Sequence, residues 1–221
     1  MRPLENGDEL AAAEFLRRYE AMPQIKKAEL IEGIVYMPSP VRLEEHAEPD
    51  TISQMWLATY AARTPGTRAA SNATVRLDAD NVPQPDALLR LLPECGGRTK
   101  VDPSGYLLGP PELILEIAAS SAAIDLHRKL RAYRRAGVRE YLVWRTLDAQ
   151  FDWFILDRDE YRANTPDGER LIHSPYFPGL TLALDALLAC DSARVLDVLQ
   201  AGFQTPAHAA FAAQLAVKAR G

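Results

Sequence analysis

One carboxylate constrains the fold of this chain more than any other residue. Glu116 stands inside Leu113-Ile114-Leu115-Glu116-Ile117, a run that otherwise reads as a strand buried on both faces. Taking a carboxylate out of water without a partner costs several kcal/mol. A fold that keeps it there must supply a cation or a dense set of hydrogen-bond donors. Two plainer arrangements would also serve: an edge strand with Glu116 in solvent, or an ordinary salt bridge to one of the arginines. The run by itself leaves both readings open.

The segments around it suggest how the strand is housed. Asp8 to Tyr19 reads as a helix closed by Pro23, with Asn6 or Asp8 as N-cap. Ala28 to Met37 reads as strand, turn or bulge at Gly33, and strand, ended by Pro38 and Pro40. His46 to Arg63 carries a broad apolar helical face with Ile52, Met55, Trp56, Leu57 and Tyr60. Three apolar runs follow, Asn72 to Leu77, Pro85 to Leu92 and Glu112 to Ala118; Pro93 to Gly105 reads as an exposed loop. A helix over about 122–136 stops at Gly137, a natural C′ residue. Strands are expected at Glu140 to Trp144, Phe151 to Leu156, Tyr161 to Asn164 and Leu180 to Leu184. This order predicts an α/β (α+β) fold, a mixed β-sheet flanked by helices. The alanine-rich stretch after Asp191, with Thr205 as N-cap and Pro206 at the first helical position, predicts two further helices. The expected division is a domain over 1–190 and a C-terminal helical appendage over 191–221.

Composition narrows the class. Apolar residues make up 48% and charged residues 25%, which excludes wholesale disorder. No stretch approaches the roughly 18 apolar residues of a membrane span, and the first 22 residues lack the apolar core of a secretory signal. A cytoplasmic protein with no membrane partner is expected. Cys95 and Cys190 have no metal-ligand spacing and are expected as reduced thiols. The net charge of −5 gives no global field for nucleic acid, so any phosphate-binding surface must be local.

Other residues gain meaning beside Glu116. Asp86 follows Pro85 at the start of Ala87-Leu88-Leu89; alone it is an ordinary turn aspartate. Two acids on neighbouring strands, each flanked by apolar sequence, can hold one hard cation while waters complete its shell. On the helix over 122–136, Leu126, Leu130 and Tyr133 form the apolar stripe, and Lys129 lies about 60° from it at 100° per residue. Asp125 stands one turn earlier. Lys129 is thus the basic residue placed to reach the sheet, unless it forms only a surface pair with Asp125. Arg128, Arg131 and Arg135 occupy the other side, as phosphate contacts or simply a solvated face. His46 is a cap neighbour, a structural residue or a proton carrier. Trp56, Trp144 and Trp153 read as core.

These pieces recur in an order that resembles the Uma-type restriction endonuclease family of bacteria, within the PD-(D/E)XK nuclease superfamily. The resemblance covers roughly Asp8 to Ala189. It rests on Glu29-Leu30-Ile31-Glu32-Gly33, His46 after Pro38-Ser39-Pro40, Pro85-Asp86, and Pro110-Pro111-Glu112-Leu113 leading to Glu116. Asp125, Lys129-Leu130, Tyr133, Gly137-Val138-Arg139-Glu140-Tyr141 and Pro178-Gly179-Leu180 complete it. The resemblance implies a restriction-endonuclease-like fold with Asp86 and Glu116 as the metal-binding pair. Ala118 stands where the family's usual lysine would follow the second acid, which points to Lys129 instead. Glu29, in preference to Glu32, would be the extra acid near the metal, with His46 and Asp125 as accessories. A serine common three residues after the second acid is replaced by Ala119, with Ser120 and Ser121 next. The implied activity is Mg²⁺-dependent (or Mn²⁺-dependent) hydrolysis of DNA phosphodiester bonds, by a homodimer if two sites are to address two strands. Two alternatives stand beside it: a non-catalytic module of nuclease fold that binds nucleic acid or a partner protein, and a metal-dependent hydrolase of another phosphate ester.

Overall fold

The computed structural model describes residues 2–37, 40–119 and 121–219. Pro38 and Ser39 of the expected turn, and Ser120, lie outside the described residues.

Helix α1 (Ala12–Glu20) begins four residues later than Asp8, because Glu9 is drawn into a bridge with Ile34. Strands β1 (Glu29–Ile31) and β2 (Ile34–Tyr36) form a hairpin in register Ile31↔Ile34. Its two turn residues, Glu32 (φ 52°) and Gly33 (φ 76°), are both left-handed, the pairing a tight hairpin turn demands and glycine accepts without strain. A π-helical stretch, Leu43–Ala47, leads into α2 (Glu48–Arg63).

The main sheet follows. It uses β3 (Thr67–Ser71), β5 (Ala87–Leu91), β8 (Leu113–Ile117), β9 (Glu140–Arg145), β10 (Gln150–Asp157) and β11 (Glu160–Ala163), in the order β11-β10-β9-β8-β5-β3. All neighbours are antiparallel except β8 and β9, which are parallel and joined through the π-helical Ile124–Lys129 and α3 (Leu130–Ala136). Gly137 closes that helix at φ 81°. The result is the expected mixed sheet flanked by helices, and β8 is interior to it. Glu116 therefore cannot face solvent from an edge.

Alternation along the strands splits the core in two. Leu89, Leu113, Leu115, Leu142 and Trp153 pack on one face under Trp56 and Leu57 of α2. Leu88, Ile114, Tyr141 and Val143 pack on the other face, under Tyr133 of α3. Trp56 stands edge-on to Trp153 at 5.9 Å and donates to the Thr181 carbonyl at 3.0 Å. A third cluster seats α1 on the hairpin through Phe15, Leu30 and Val35.

Several short elements differ from expectation. The run at 72–77 yields only β4 (Val75–Arg76), which joins β6 (Lys100–Val101) and β7 (Leu107–Leu108) in a small separate sheet. Pro93 to Gly105 is accordingly not a bare exposed loop: Cys95 and Thr99 are fully buried, and Cys95 lies beneath the carbonyl of Leu215. Strand β12 (Leu171–His173) pairs with β13 (Thr181–Ala183), and a short α4 (Leu184–Leu188) follows. Neither cysteine is in a disulfide.

The C-terminal helices α5 (Ser192–Gly202) and α6 (Pro206–Lys218) form as expected, with the Thr205 hydroxyl accepting from the His208 N–H. Val195 and Leu199 of α5 enter the same apolar cluster as Trp56 and Leu115. His208 of α6 meets the Thr64 hydroxyl at 3.0 Å, at the end of α2. Because Leu199 is fully buried there, Leu199→Ala should cost about 2–5 kcal/mol through lost burial and a residual cavity. Thermal unfolding should show the loss as a lower Tm within one transition for sheet and helices together; a separate early transition of the helices would contradict that shared core.

Candidate functional site

Asp86 immediately precedes β5, and the register Ala87↔Leu115 carries it opposite Glu116. Facing residues of an antiparallel pair project to the same side. Leu88 and Ile114, the next residues on that side, belong to the cluster beneath α3, so both carboxylates rise toward the helix. The strands also hold Asp86 directly: the Ile117 N–H donates to its Oδ2 at 2.8 Å. Both acids are almost wholly buried, at 3% and 2% exposure. Burial removes the solvent-facing reading of Glu116, and its ion pair is with Lys129, not with an arginine.

Lys129 reaches inward as its helical position predicts. Its Nζ lies 2.9 Å from Glu29 Oε2, 3.0 Å from Glu116 Oε1 and 3.4 Å from Asp125 Oδ1. The Asp125–Lys129 pair is thus buried, not a surface pair. Tyr133 donates its hydroxyl to Glu116 Oε1 at 2.7 Å, and Ser121 donates to Asp125 Oδ2. Glu29 is tied to the Asp86 segment by the Gln84 N–H, 2.7 Å from its Oε1. Glu29 thus lies within the cluster, whereas Glu32 points elsewhere.

Two residues that pattern reasoning missed complete the cluster. Lys27 donates to Asp86 Oδ1 at 2.7 Å and to Asn72 Oδ1 at 3.1 Å. Tyr133 read only as apolar stripe, and its hydroxyl gave no signal. His46 comes within 3.5 Å of Asp86 Oδ2. All four carboxylates, both lysines and His46 line one cavity of about 740 Å³. Arg128, Arg131 and Arg135 do not line it; they converge on Glu32 at 3.5, 2.8 and 3.1 Å.

The two central acids have opposite electrostatics. Burial works against the charge of Asp86, but the His46 contact, the Lys27 ammonium and the Ile117 N–H outweigh it and hold Asp86 below the usual carboxylate range. Glu116 goes the other way. Its burial is the largest effect, only partly relieved by Lys129 and reinforced by Asp86, Glu29 and Asp125, so its pKa stands well above the ordinary value. Burial alone would lower Lys129; Glu116, Glu29 and Asp125 reverse that and keep it charged. Contact with Asp86 raises His46, against a smaller opposing effect of burial.

The donor set suits a hard divalent cation. Four carboxylates face two ammonium groups; with all four ionised, two negative charges are left for such an ion to balance. Glu116 Oε2 accepts no hydrogen bond among the described residues and is open to the cavity. Among those residues no three His, Cys, Asp or Glu side chains converge as a ready-made cage, whereas Mg²⁺ characteristically takes one or two carboxylates and keeps several waters.

Comparison with known proteins adds a family and a fold. The family model described as "Uma2: Putative restriction endonuclease" matches residues 12–185. Among solved structures, the fold is similar to "a putative nuclease belonging to DUF820" from Anabaena variabilis ATCC 29413, with a TM-score of 0.62 and 14% sequence identity; the match covers 79% of this chain and 97% of that one. No curated protein matches at a significant level.

The raised Glu116 pKa has a thermodynamic sign. A carboxyl that holds its proton more tightly folded than unfolded makes the fold lose stability as pH rises from the unfolded value, 4.5, through the folded one. Glu116→Gln keeps an acceptor for Lys129 and Tyr133 without that loss. In chelator-treated protein it should melt about 2–4 °C above wild type at pH 8, with the gap closing toward pH 4. A Tm equal to or below wild type at pH 8 would show that ionised Glu116 is no burden to the fold.

Proposed function

This chain belongs to the Uma2 family, and from that premise we propose that it is an endonuclease that hydrolyses DNA phosphodiester bonds, with Asp86 and Glu116 as ligands of Mg²⁺ or Mn²⁺. The family and the nuclease neighbour support a nuclease in general terms. The finer reading is carried by one observation: Asp86 and Glu116, from adjacent strands, share a cavity in which a buried lysine is already fixed. A bound divalent ion in such a site acidifies water and offsets charge on the scissile phosphate.

The chain's own residues supply the rest of the chemistry. Lys129 holds a full positive charge where phosphate charge would build, and its position is fixed before substrate arrives, which is the condition for strong electrostatic stabilisation. Tyr133 locks the orientation of Glu116. Asp125 and His46 act as accessories, the first as a further anion on Lys129, the second steadying Asp86. Arg128, Arg131 and Arg135 outnumber the one glutamate they share, which leaves positive charge for backbone phosphates. We assign the nuclease domain to 1–190 and a helical appendage to 191–221, in keeping with a family match that ends at 185. A homodimer would let two such sites address two strands. No helix is long and apolar enough to cross a membrane among the described residues. The alternative, a nuclease-fold module that binds without cutting, draws on the net charge of −5. It leaves the crowded carboxylates without a purpose.

Plasmid nicking provides the test. Wild type should nick supercoiled DNA with Mg²⁺ and not with chelator. Lys129→Met should slow nicking by on the order of 10²–10³, and Glu116→Gln should fall to background. Undiminished cleavage by Glu116→Gln would sink the proposal.

A further inference from the structure

Two lysines partly offset the charge of the acidic cluster, and they are held in very different ways. Lys129 touches three carboxylates, and its side chain is 6% exposed. Lys27 touches one carboxylate, Asp86, and its side chain is 23% exposed. Its second partner is the neutral amide of Asn72, at the exposed margin of the site. Asp86, meanwhile, has both oxygens engaged: Oδ1 by Lys27 at 2.7 Å, and Oδ2 by the Ile117 N–H at 2.8 Å, with His46 at 3.5 Å. The Ile117 donor is a backbone group within β8 and cannot leave without breaking the strand. Lys27 is side chain alone, and it can.

From this asymmetry we infer that Lys27 is an exchangeable counter-ion: its ammonium occupies Asp86 Oδ1 before a divalent cation binds, and gives up that oxygen when the cation enters. Lys129 stays in place throughout, because its two remaining carboxylates, Glu29 and Asp125, hold it whatever Glu116 does. The inference rests on the metal-site reading of Asp86 and Glu116. It adds that metal affinity is set by competition with a residue of the chain itself. An ammonium and a divalent ion compete for the same negative oxygen at short range in a poorly screened cavity, where one unit charge weighs heavily.

The test is a Mn²⁺ titration followed by calorimetry on the full chain, without DNA. Lys27→Met should bind Mn²⁺ about tenfold more tightly than wild type, while Lys27→Arg, which keeps the charge, should gain nothing. A second measurement needs no variant. In ¹H–¹⁵N spectra of the lysine ammonium groups of wild type, Mg²⁺ should abolish or shift the Lys27 signal and leave that of Lys129 in place. Lys27→Met binding equal to or weaker than wild type, or a Lys27 signal unmoved at saturating Mg²⁺, overturns the inference while leaving the metal site standing. Failure of both wild type and Lys27→Met to bind Mn²⁺ brings down the metal-site reading, and this inference with it.

Discussion

In open water, the carboxylates of Glu29, Asp86, Glu116 and Asp125 would repel one another by about 1 kcal/mol per pair at contact distances; at the effective dielectric of a protein's partly buried sites the same pairs cost several times more. Their coexistence within one cavity is the constraint on which the surrounding architecture turns. It explains why a helix crosses this face of the sheet with a lysine inward. It explains why Tyr133, otherwise ordinary aromatic packing, presents its hydroxyl to Glu116. It explains the division of labour between the acids as well: Asp86, served by backbone and lysine, keeps its charge, while Glu116, deeper and crowded by anions, resists ionisation. Environments that push neighbouring carboxyls apart in this way are a recurrent mark of working sites.

Much of this was legible in the sequence wherever a residue contradicted its surroundings. Glu116 drew notice by standing in an apolar strand and Lys129 by lying near the apolar stripe of its helix, though each pattern alone also allowed a plain salt bridge. The strands of the central sheet were readable because β5, β8, β9 and β10 carry long apolar or β-branched runs. Asp86 acquired meaning only beside Glu116, and Glu29 only from the ordered motifs of the family, since neither breaks a local pattern.

What stayed hidden is explained by length and by distance. Strands β4, β6, β7 and β12 span two or three residues, too few for alternation to emerge. Thr67–Ser71 forms β3 on neighbour pairing, without the apolar alternation that marks a strand. Lys27 precedes a strand in a polar setting, and the aspartate that gives it a role lies 59 positions away. Cys95 seemed to belong to a solvent-facing loop because the helix that covers it is contributed by the far end of the chain.

The hairpin carrying Glu29 and the helix carrying Lys129 are fastened together twice. One fastening is the buried Lys129–Glu29 pair; the other is the exposed clasp of Arg128, Arg131 and Arg135 on Glu32, whose arginines are 40–48% open to water. Dissolved salt, with a Debye length near 8 Å at about 0.15 M, reaches the second and barely touches the first. Ionic strength therefore acts on this molecule as a selective solvent: it slackens the outer tether between hairpin and helix while the inner one keeps its grip.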